Sequence, residues 1–485
     1  MTKNNAAAGS IEDAFPLSML QQGMLFHSTL DAHLGVYHDV FSYEIETAWD
    51  PLLFSATLEA IVAKHGVLRT VYKLDAGRPL QVVLKHKAPW LVVDDLRQVD
   101  AAAQPALLAA WVEGEKATPI DPAKDVWKAF VHLLDDSRIQ FGLSFHHALW
   151  DGWSVANFVS ELFSGYTAAL EGRENTSFGA DKPPSYRTFV ALEQQALNSA
   201  ANKAYWAAKM RDARTPWWTG SRSRQSTCFA CDITAGQSDK IIKLASTLGV
   251  AEKSLWTAVY VSLVALLDGS LDVVGSIATH GRPELPNSDK MLGLFLNTLP
   301  LRVDLRGRRW SELIQEVDAE LRGQYAYRHH PLVDVQNQTG LDFSGSMFGY
   351  LNFHVYGESG VKSRILGGQG FEETNYSMVV SVEKLDAARR HVLRVNGDGA
   401  LFDAPCQERI RAYVTNIVEA MTAADDRTIS LESLLGAGER ALQQWPRPEA
   451  GAAGSLTEAF AHAVEGRGAA PALTAAGASL SYAEL

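Results

Sequence analysis

Cysteines are scarce in this sequence, and long apolar runs and an excess of positive charge are missing. Three cysteines among 485 residues exclude a disulfide framework and favour a reducing compartment. The longest apolar candidate, residues 258–267, spans only about ten residues, too few to cross a membrane. Residues 1–13 are polar and lack the apolar core of a signal peptide. The formal net charge of −12 argues against nucleic acid as a partner. We therefore expect a cytoplasmic protein that binds neither membrane nor nucleic acid.

The composition is typical of a globular protein with large buried cores, because 47% of the residues are apolar and 21% are charged. Helix-period and strand-period segments alternate along most of the chain, which predicts an α/β or α+β fold. A Gly-, Ala- and Pro-rich stretch after residue 435 is typical of a linker, and the short remainder cannot bury a core of its own. We therefore predict a flexible leader, two helix-and-sheet lobes, a linker and the opening of a further domain, at residues 1–13, 14–175, 176–435, 436–454 and 455–485.

One stretch of the first lobe combines several residue types that carry chemistry. Residues 139–145 alternate between apolar and polar side chains, which predicts a strand. Apolar residues at helical spacing begin at Val155, with Ser154 as the predicted N-cap. Between the two elements lies His-His-Ala-Leu-Trp-Asp-Gly-Trp-Ser, residues 146–154. Two histidines thus stand at the end of a strand, which is where open α/β layers place their chemistry.

The two histidines decide the chemistry that this stretch can perform. Histidine suits general acid–base work near neutral pH, and adjacent strand residues face opposite sides, so only one of His146 and His147 can face a given space. Asp151 is close enough to fix the local geometry by pairing with an arginine, and Gly152 allows a sharp turn. Because no Ser or Cys nucleophile is identified beside the histidines, the pattern favours direct attack by a substrate amine or hydroxyl on an acyl donor.

Other interpretations of these residues were weighed. A single buried histidine is usually structural. A metal site is not expected, because adjacent strand residues diverge and no third close ligand follows. His146 to Asp151 also fits the His-x4-Asp pattern of glycerolipid acyltransferases, whose membrane segments are missing here. Cys228 and Cys231 have the spacing of a redox or zinc half-site, but without a second pair a packing role is favoured.

The stretch at residues 146–154 resembles the His-His-x3-Asp-Gly signature of condensation domains in nonribosomal peptide synthetases. SMLQQGMLFH is similar to the first motif of that family, in the form common to starter domains and to domains that receive D-configured donors. KHGVLRT is similar to a second motif, with Lys64 where the family has arginine. Residues 291–302, MLGLFLNTLPLR, match the Gly-x-Phe-x-Asn-Thr-Leu-Pro-x-Arg motif. Residues 327–335 and 342–346 fit later motifs only loosely.

The resemblance covers residues 12–435 and implies two chloramphenicol-acetyltransferase-like lobes that form a V around a central tunnel. One thioester is expected to enter from each face. His147 resembles the catalytic residue, which either deprotonates the attacking α-amine or positions it and stabilises the zwitterionic transition state. His146 and Asp151 resemble the members of the motif that maintain its structure, and Gly152 is expected to present its N–H near the tetrahedral oxyanion.

The resemblance also implies supporting residues and a substrate channel. Arg302 resembles the arginine that pairs with Asp151, Arg69 is the second candidate, and Asn297 supports the site. The small side chain of Ala148 would leave room for a medium-length acyl chain rather than acetyl, since each buried methylene contributes about 0.8 kcal/mol; the alternative is that Ala148 packs behind the motif. The expected channel residues are Ala148, Trp150, Trp153 and Ser18.

The implied function is that of a starter condensation domain in lipopeptide biosynthesis. It would transfer a fatty acyl group from acyl-CoA to the α-amine of an aminoacyl thioester on the phosphopantetheine arm of a peptidyl carrier protein. The chain begins at Met1 with a short leader, which favours a donor that arrives from outside the chain. Residues 455–485 resemble the opening of an adenylation domain, so a multidomain synthetase is expected. No tightly bound cofactor is expected, and the domain is predicted to be a monomer.

Three alternatives to this function stay open at the sequence level. One is an internal condensation domain that joins two carrier-bound substrates. Another is an epimerisation domain, which shares the histidine motif and which residues 279–282 resemble faintly. The third is an inactive docking module, against which the intact histidine, aspartate and glycine argue.

Overall fold

The structure is a computed structural model of the 485-residue chain. It describes residues 11–30, 36–74, 77–173, 182–220, 223, 225–351, 365–371, 374–385, 390–436, 439–440, 461, 464–465, 467–475 and 478–484. The chain divides into two compact units, residues 1–434 and 435–485, and the candidate site lies in the first.

The first half of the chain alternates helices and strands, as its sequence predicts. Its elements are β1 (Ile11–Pro16), α1 (Met19–Leu30), β2 (His38–Glu46), α2 (Pro51–Lys64), β3 (Thr70–Lys73), β4 (Leu80–Leu84), β5 (Leu91–Asp95), α3 (Gln104–Lys116), β6 (Trp127–Leu133), β7 (Arg138–His146) and α4 (Gly152–Leu170).

The second half continues with the same two kinds of element. They are α5 (Arg187–Leu197), α6 (Ala200–Lys209), β8 (Ser226–Cys231), α7 (Ala235–Leu248), α8 (Glu252–Asp268), β9 (Asp272–His280), β10 (Leu296–Asp304), α9 (Trp310–Gln324), α10 (Leu332–Thr339), β11 (Met347–Leu351), β12 (Ile365–Phe371), β13 (Met378–Leu385), β14 (Arg390–Asp398), α11 (Ala404–Met421) and α12 (Leu431–Leu434). The hairpin β15 (Pro471–Ala475) and β16 (Ala478–Ser481) belongs to the second unit.

The strands form two large sheets, one for each half, and the predicted mixed α/β class is confirmed. The first sheet has the order β12–β2–β7–β6–β5, and the second has the order β10–β9–β11–β13–β14–β8. β12 comes from the second half but pairs with β2 of the first, so backbone hydrogen bonds join the two halves. A smaller sheet, β1–β4–β3, completes the first half.

The side-chain alternation of β7 decides which side of the first sheet becomes core. Its odd-numbered apolar residues, such as Phe141 and Phe145, are buried in a cluster that also contains residues of α2 and α4. On the opposite side, a Cβ at Gly142 would lie 2.4 Å from the indole ring of Trp111 on α3, so only glycine allows α3 to approach this closely. β7 therefore has both of its faces covered and carries His146 at its end.

Several element boundaries differ from the sequence-based prediction. Residues 11–13, predicted as part of the leader, belong to β1 and pair with β4. The single helix predicted over residues 186–210 is two helices, because Ser199 caps a new helix through its side chain. The strand predicted from Met291 begins only at Leu296. Most of the predicted linker at 436–454 lies outside the described residues.

The helices of the second half pack on the second sheet, and α8 is the most buried of them. Every residue from Ser254 to Ala265 is buried. Within the described residues, no single helix is long and apolar enough to cross a membrane, although α7 and α8, bent by 112°, together meet the requirement of length and composition.

Candidate active site

His146 ends β7 and is fixed inside the protein by both of its ring nitrogens. Nδ1 accepts a hydrogen bond from the N–H of Ala148 at 3.1 Å, and Nε2 lies 2.9 Å from Oγ of Ser28 on α1. Since Nδ1 accepts, the ring proton resides on Nε2 and is donated to Ser28. Burial, followed by the nearby His147 and His38, lowers the pKa of His146 to about 3. His146 is therefore neutral near pH 7 and connects the strand to α1.

His147 is the more accessible of the two histidines, with 16% of its side chain exposed. Its N–H donates to the carbonyl of Tyr37 at 2.8 Å. Its Nδ1 lies 2.7 Å from Oδ2 of Asp39 on β2, whose side chain is only 2% exposed. With Nδ1 at this carboxylate, Nε2 is the ring nitrogen from which a substrate would be contacted.

Tyr37 holds His147 from a second side. Its ring lies parallel to that of His147, with 6.4 Å between the centroids and an interplanar angle of 3°. Its φ of 63° is unusual for an aromatic residue, and it precedes the first residue of β2. The Tyr37 hydroxyl donates to Oδ1 of Asn375 at 2.5 Å, so the second half of the chain reaches the residue that supports His147.

Asp151 joins the start of α4 to the second half of the chain. Its Oδ1 accepts from the N–H of Ser154 at 2.8 Å, so Asp151 is the N-cap of α4 and the predicted N-cap Ser154 is wrong. Its Oδ2 accepts from the N–H of Phe295 at 3.0 Å. Nη2 of Arg282 lies 3.3 Å from Oδ1, and both side chains are buried. Burial lowers the pKa of Arg282, while the charge of Asp151 acts in the opposite direction.

Ser154 extends the same connection through its hydroxyl. Its Oγ donates to the carbonyl of Gly293 at 2.8 Å and accepts from the Gly293 N–H at 3.1 Å and from Nη2 of Arg282 at 2.9 Å. A Cβ at Gly293 would lie 2.5 Å from the ring of Tyr186, so glycine is required by this close approach. The first residues of the motif at 291–302 therefore lie directly against the start of α4.

Arg302 does not pair with Asp151, and that prediction is wrong. Its guanidinium forms an ion pair with Asp272 at 2.7 Å, on the neighbouring strand β9. The physical reason is the length of β10. Leu296 begins this strand close to the site, and Arg302 lies six residues further along, which corresponds to about 20 Å.

The other two predicted supporting residues hold different parts of the first unit. Arg69 forms an ion pair with Glu12 at 2.5 Å, so the second candidate for the partner of Asp151 is also wrong. Asn297 donates from Nδ2 to the carbonyls of Arg328 at 2.9 Å and His330 at 2.7 Å. It thereby fixes the segment that leads into α10.

Three of the four predicted channel residues lie in the packed core. Ala148, Trp150 and Ser18 are completely buried, which contradicts the expectation that they border an open channel. The carbonyl of Ala148 accepts from Nε2 of Gln21 at 2.9 Å and from the hydroxyl of Tyr72 at 2.8 Å, so this residue packs behind the motif. The fourth predicted channel residue is the partly exposed Trp153.

Gly152 is the first residue of α4, and it is not among the described glycines with positive φ. The sharp turn that the sequence suggested therefore does not depend on glycine. As the first helical residue, Gly152 has an N–H that the helix itself cannot satisfy, which keeps it available in principle to an oxyanion. That role stays a prediction.

Asp39 and Arg282 are site residues that the sequence analysis missed. The signal for Asp39 is the alternation of β2. In the antiparallel register Asp39 lies opposite Phe145, and His147 follows Phe145 by two residues, so Asp39 and His147 share one side of the sheet. The signal for Arg282 is weaker, since only its place just after β9 marks it.

Metal and thiol chemistry find little support around the described residues. No group of three or more His, Cys, Asp or Glu residues in the described part of the chain could hold a metal ion. Cys228 is exposed and Cys231 is buried on the same strand, and an offset of three residues places them on opposite faces. Burial raises the pKa of Cys231 to about 12, so its thiol is unreactive.

Comparison with known proteins identifies relatives of most of the chain. A family model described as the condensation domain matches residues 11–443. The AMB antimetabolite synthetase AmbE of Pseudomonas aeruginosa is 31% identical over 357 residues, covering 71% of this chain and 16% of that protein. A linear gramicidin synthase of Brevibacillus parabrevis is 28% identical over 452 residues, with 89% of this chain and 8% of that protein covered. The chain thus spans less than a fifth of the length of these relatives.

Solved structures with the same fold include two domains of peptide synthetases. The first condensation domain of the calcium-dependent antibiotic synthetase has a TM-score of 0.69 at 20% identity, and the match covers 86% of this chain and 100% of that chain. The starter condensation domain of the rhizomide synthetase RzmA, in complex with C8-CoA and Leu-SNAC, has a TM-score of 0.68 at 18% identity, with 87% and 96% covered. At these identities the likeness shows a common fold.

Proposed function

Because the chain belongs to the condensation-domain family of nonribosomal peptide synthetases, whose members are amide-bond-forming acyltransferases, we propose that it is a starter domain with His147 as its catalytic residue. The donor is a fatty acyl-CoA, and the acceptor is an aminoacyl thioester on the phosphopantetheine arm of a carrier protein. The C–N bond of the amide forms, the C–S bond of the donor breaks, and the amine proton passes through Nε2 of His147 to the departing CoA sulfur.

The observation that carries this proposal is the contrast between the two histidines. His146 is buried and neutral, with both nitrogens committed to protein groups. His147 is partly exposed and has its Nδ1 beside the Asp39 carboxylate. A ring held in this way can accept a proton at Nε2 from an attacking amine, or position that amine by a hydrogen bond.

The donor class rests on two further observations. Residues 18–27 have the form of the first family motif that is common to starter domains. The RzmA domain of similar fold is a starter condensation domain described in complex with C8-CoA, and we extend this class of donor to the present chain. The carrier protein that presents the acceptor, and an adenylation domain opening at residues 455–485, are proposed partners in the same synthetase.

The decisive experiment uses intact mass spectrometry of an aminoacyl carrier protein incubated with the chain and a panel of acyl-CoAs. The proposal expects the mass of the carrier protein to rise by one acyl group. His147→Ala should slow this reaction by about 10²-fold or more, the usual scale for a lost acid–base group, while the melting temperature stays close to that of the wild-type chain. Near-normal turnover by a folded His147→Ala variant contradicts the assignment of His147.

One observation favours a second candidate, an internal condensation domain with a carrier-bound donor. The matched segment is only 16% and 8% of the two curated relatives, so the corresponding segments there lie within much longer chains. A parallel reaction with the same acyl group loaded on a carrier protein separates the two candidates. Turnover with acyl-CoA alone supports the starter domain, whereas strict dependence on the carrier-bound donor supports the internal domain.

A further inference from the structure

We propose that Asp39 is a positioning residue for His147, holding the imidazole with its proton on Nδ1 and stabilising the positive charge that the ring acquires during amide formation. This inference rests on the proposed function of His147 and deepens it. Neither the histidine motif nor its aspartate contains Asp39, which lies 108 positions before His147 in the chain. The structure brings them together through the pairing of two strands.

The placement of Asp39 is a consequence of the antiparallel pairing of β2 and β7. The register sets Asp39 opposite Phe145, and the hydrogen bond from the His147 N–H to the Tyr37 carbonyl continues the ladder beyond the end of β7. Asp39, Phe145 and His147 therefore lie on the same side of the sheet. The 2.7 Å between Oδ2 of Asp39 and Nδ1 of His147 is a cross-strand diagonal contact, not a contact between sequence neighbours.

The surroundings of the pair make this carboxylate significant. The side chain of Asp39 is 2% exposed, whereas that of His147 is 16% exposed. A buried carboxylate is only weakly screened by water, so its charge acts strongly on the adjacent ring. Among the described residues, the other titratable groups around the pair are His38, His146 and Tyr37. Burial lowers the pKa of both histidines, so neither supplies a competing positive charge near pH 7.

The chemistry that follows concerns one proton. A neutral imidazole that donates Nδ1–H toward Asp39 presents the lone pair of Nε2 to the acceptor amine. As the amine attacks the thioester carbon, its proton moves to Nε2, and the resulting imidazolium is stabilised by the carboxylate at Nδ1. The proton then leaves Nε2 for the thiol sulfur, which restores the neutral ring. Asp39 stays ionised throughout and does not contact the substrate.

The test compares Asp39→Asn, Asp39→Glu and the matched control Asp94→Asn. Asp94 is a second carboxylate beside a histidine of the same sheet, with Oδ2 at 3.4 Å from Nδ1 of His132, but it is remote from His147 in sequence and pairing. Single-turnover amide formation is measured across pH, with melting temperatures for all variants. In parallel, ¹⁵N NMR of labelled histidines follows His147, identified as the signal that His147→Ala removes.

Asp39→Asn should slow amide formation by about 10- to 100-fold and move the midpoint of the acid limb of the pH–rate profile to lower pH. The direction follows because losing a neighbouring negative charge makes the imidazole easier to deprotonate. The His147 signal should titrate at correspondingly lower pH in this variant. Asp39→Glu should recover part of the rate because it keeps the charge, and Asp94→Asn should behave like the wild-type chain in both measurements.

An Asp39→Asn variant with an unchanged pH profile and an unchanged His147 titration overturns the inference, even if its rate is lower, because a purely structural role predicts that result. If Asp39→Asn does not fold, the wild-type spectrum still decides, since a neutral His147 with its proton on Nε2 contradicts the proposal. If the wild-type chain forms no amide, the proposed function fails by itself, and the NMR measurement reports separately whether Asp39 controls the ring.

Discussion

Asp151 and Arg282 form a buried ion pair across 131 residues of sequence, with Nη2 of Arg282 at 3.3 Å from Oδ1 of Asp151. The pair connects the start of α4 to the loop that precedes β10. Arg282 also donates to the carbonyl of Met291 at 2.7 Å, so it holds the loop itself. The histidine motif is thereby fixed by the second half of the chain, although its letters lie entirely in the first.

Removing Arg282 should therefore destabilise the protein more than removing the arginine that the sequence suggested. Arg282→Ala leaves Asp151 buried without its cation, and such losses cost about 3–5 kcal/mol. Arg302→Ala removes a partly exposed ion pair with Asp272, for which about 1 kcal/mol or less is expected from the ion pair. Urea unfolding of both variants measures the difference.

The double variant Asp151→Asn with Arg282→Gln provides a control for this prediction. Since it removes both charges, it should cost less than the sum of the two single changes. Equal costs for Arg282→Ala and Arg302→Ala would show that the buried pair contributes nothing special to stability.

Acid should destabilise the protein through His146. Its pKa in the folded chain is about 3, against an ordinary value of 6.5, because burial disfavours the charged ring. Between these values the unfolded chain binds a proton that the folded chain does not, so stability falls as the pH falls. From about pH 7 to about pH 4.5 the loss from this group is roughly 3 kcal/mol. Urea unfolding at both pH values should show a smaller loss in His146→Gln, and replacement of the exposed His86 by Gln is the matched control.

Glu193 should produce a pH dependence of the opposite sign. Its buried carboxylate accepts two hydrogen bonds from the N–H of Met19, at 2.9 and 3.1 Å, at the start of α1. Burial raises the pKa of Glu193 to about 7 from an ordinary 4.5, although these hydrogen bonds act in the other direction. Between those values the folded chain holds a proton that the unfolded chain has lost, so this contribution declines as the pH rises.

Glu193→Gln should abolish that decline. Its melting temperature relative to the wild-type chain should rise between about pH 5 and about pH 8, because the wild-type chain loses roughly 3 kcal/mol from this group across the window. A difference in melting temperature that stays constant across this range would contradict the raised pKa.

Ala148→Arg tests the consequence of burial at a residue that the sequence placed on a channel. Ala148 is completely buried and its carbonyl is held by Gln21 and Tyr72. An arginine there would overfill the core and bury an unpaired charge, at a cost of several kcal/mol. We expect loss of folded protein, measured by yield and melting temperature. A stable variant that prefers acetyl-CoA over longer donors would restore the channel hypothesis.

The sequence predicted the local elements around the site well, because short-range periodicity determines them. The alternation at residues 139–145 and the helical spacing from Val155 both correspond to observed elements, β7 and α4. It missed the N-cap by three residues, since Asp151 and Ser154 are both good caps and only the hydrogen bond from Ser154 to Asp151 distinguishes them.

What the sequence determined by itself is the motif, the family and the residue types of the site, since each of these is written within a few neighbouring positions. Only the tertiary structure decided which side chains act on one another. The β2–β7 register brings Asp39 to His147, and the approach of the loop before β10 brings Arg282, not Arg302, to Asp151. The physical reason is that a strand moves about 3.4 Å per residue, so distant partners depend on register and loop path, which no local pattern contains.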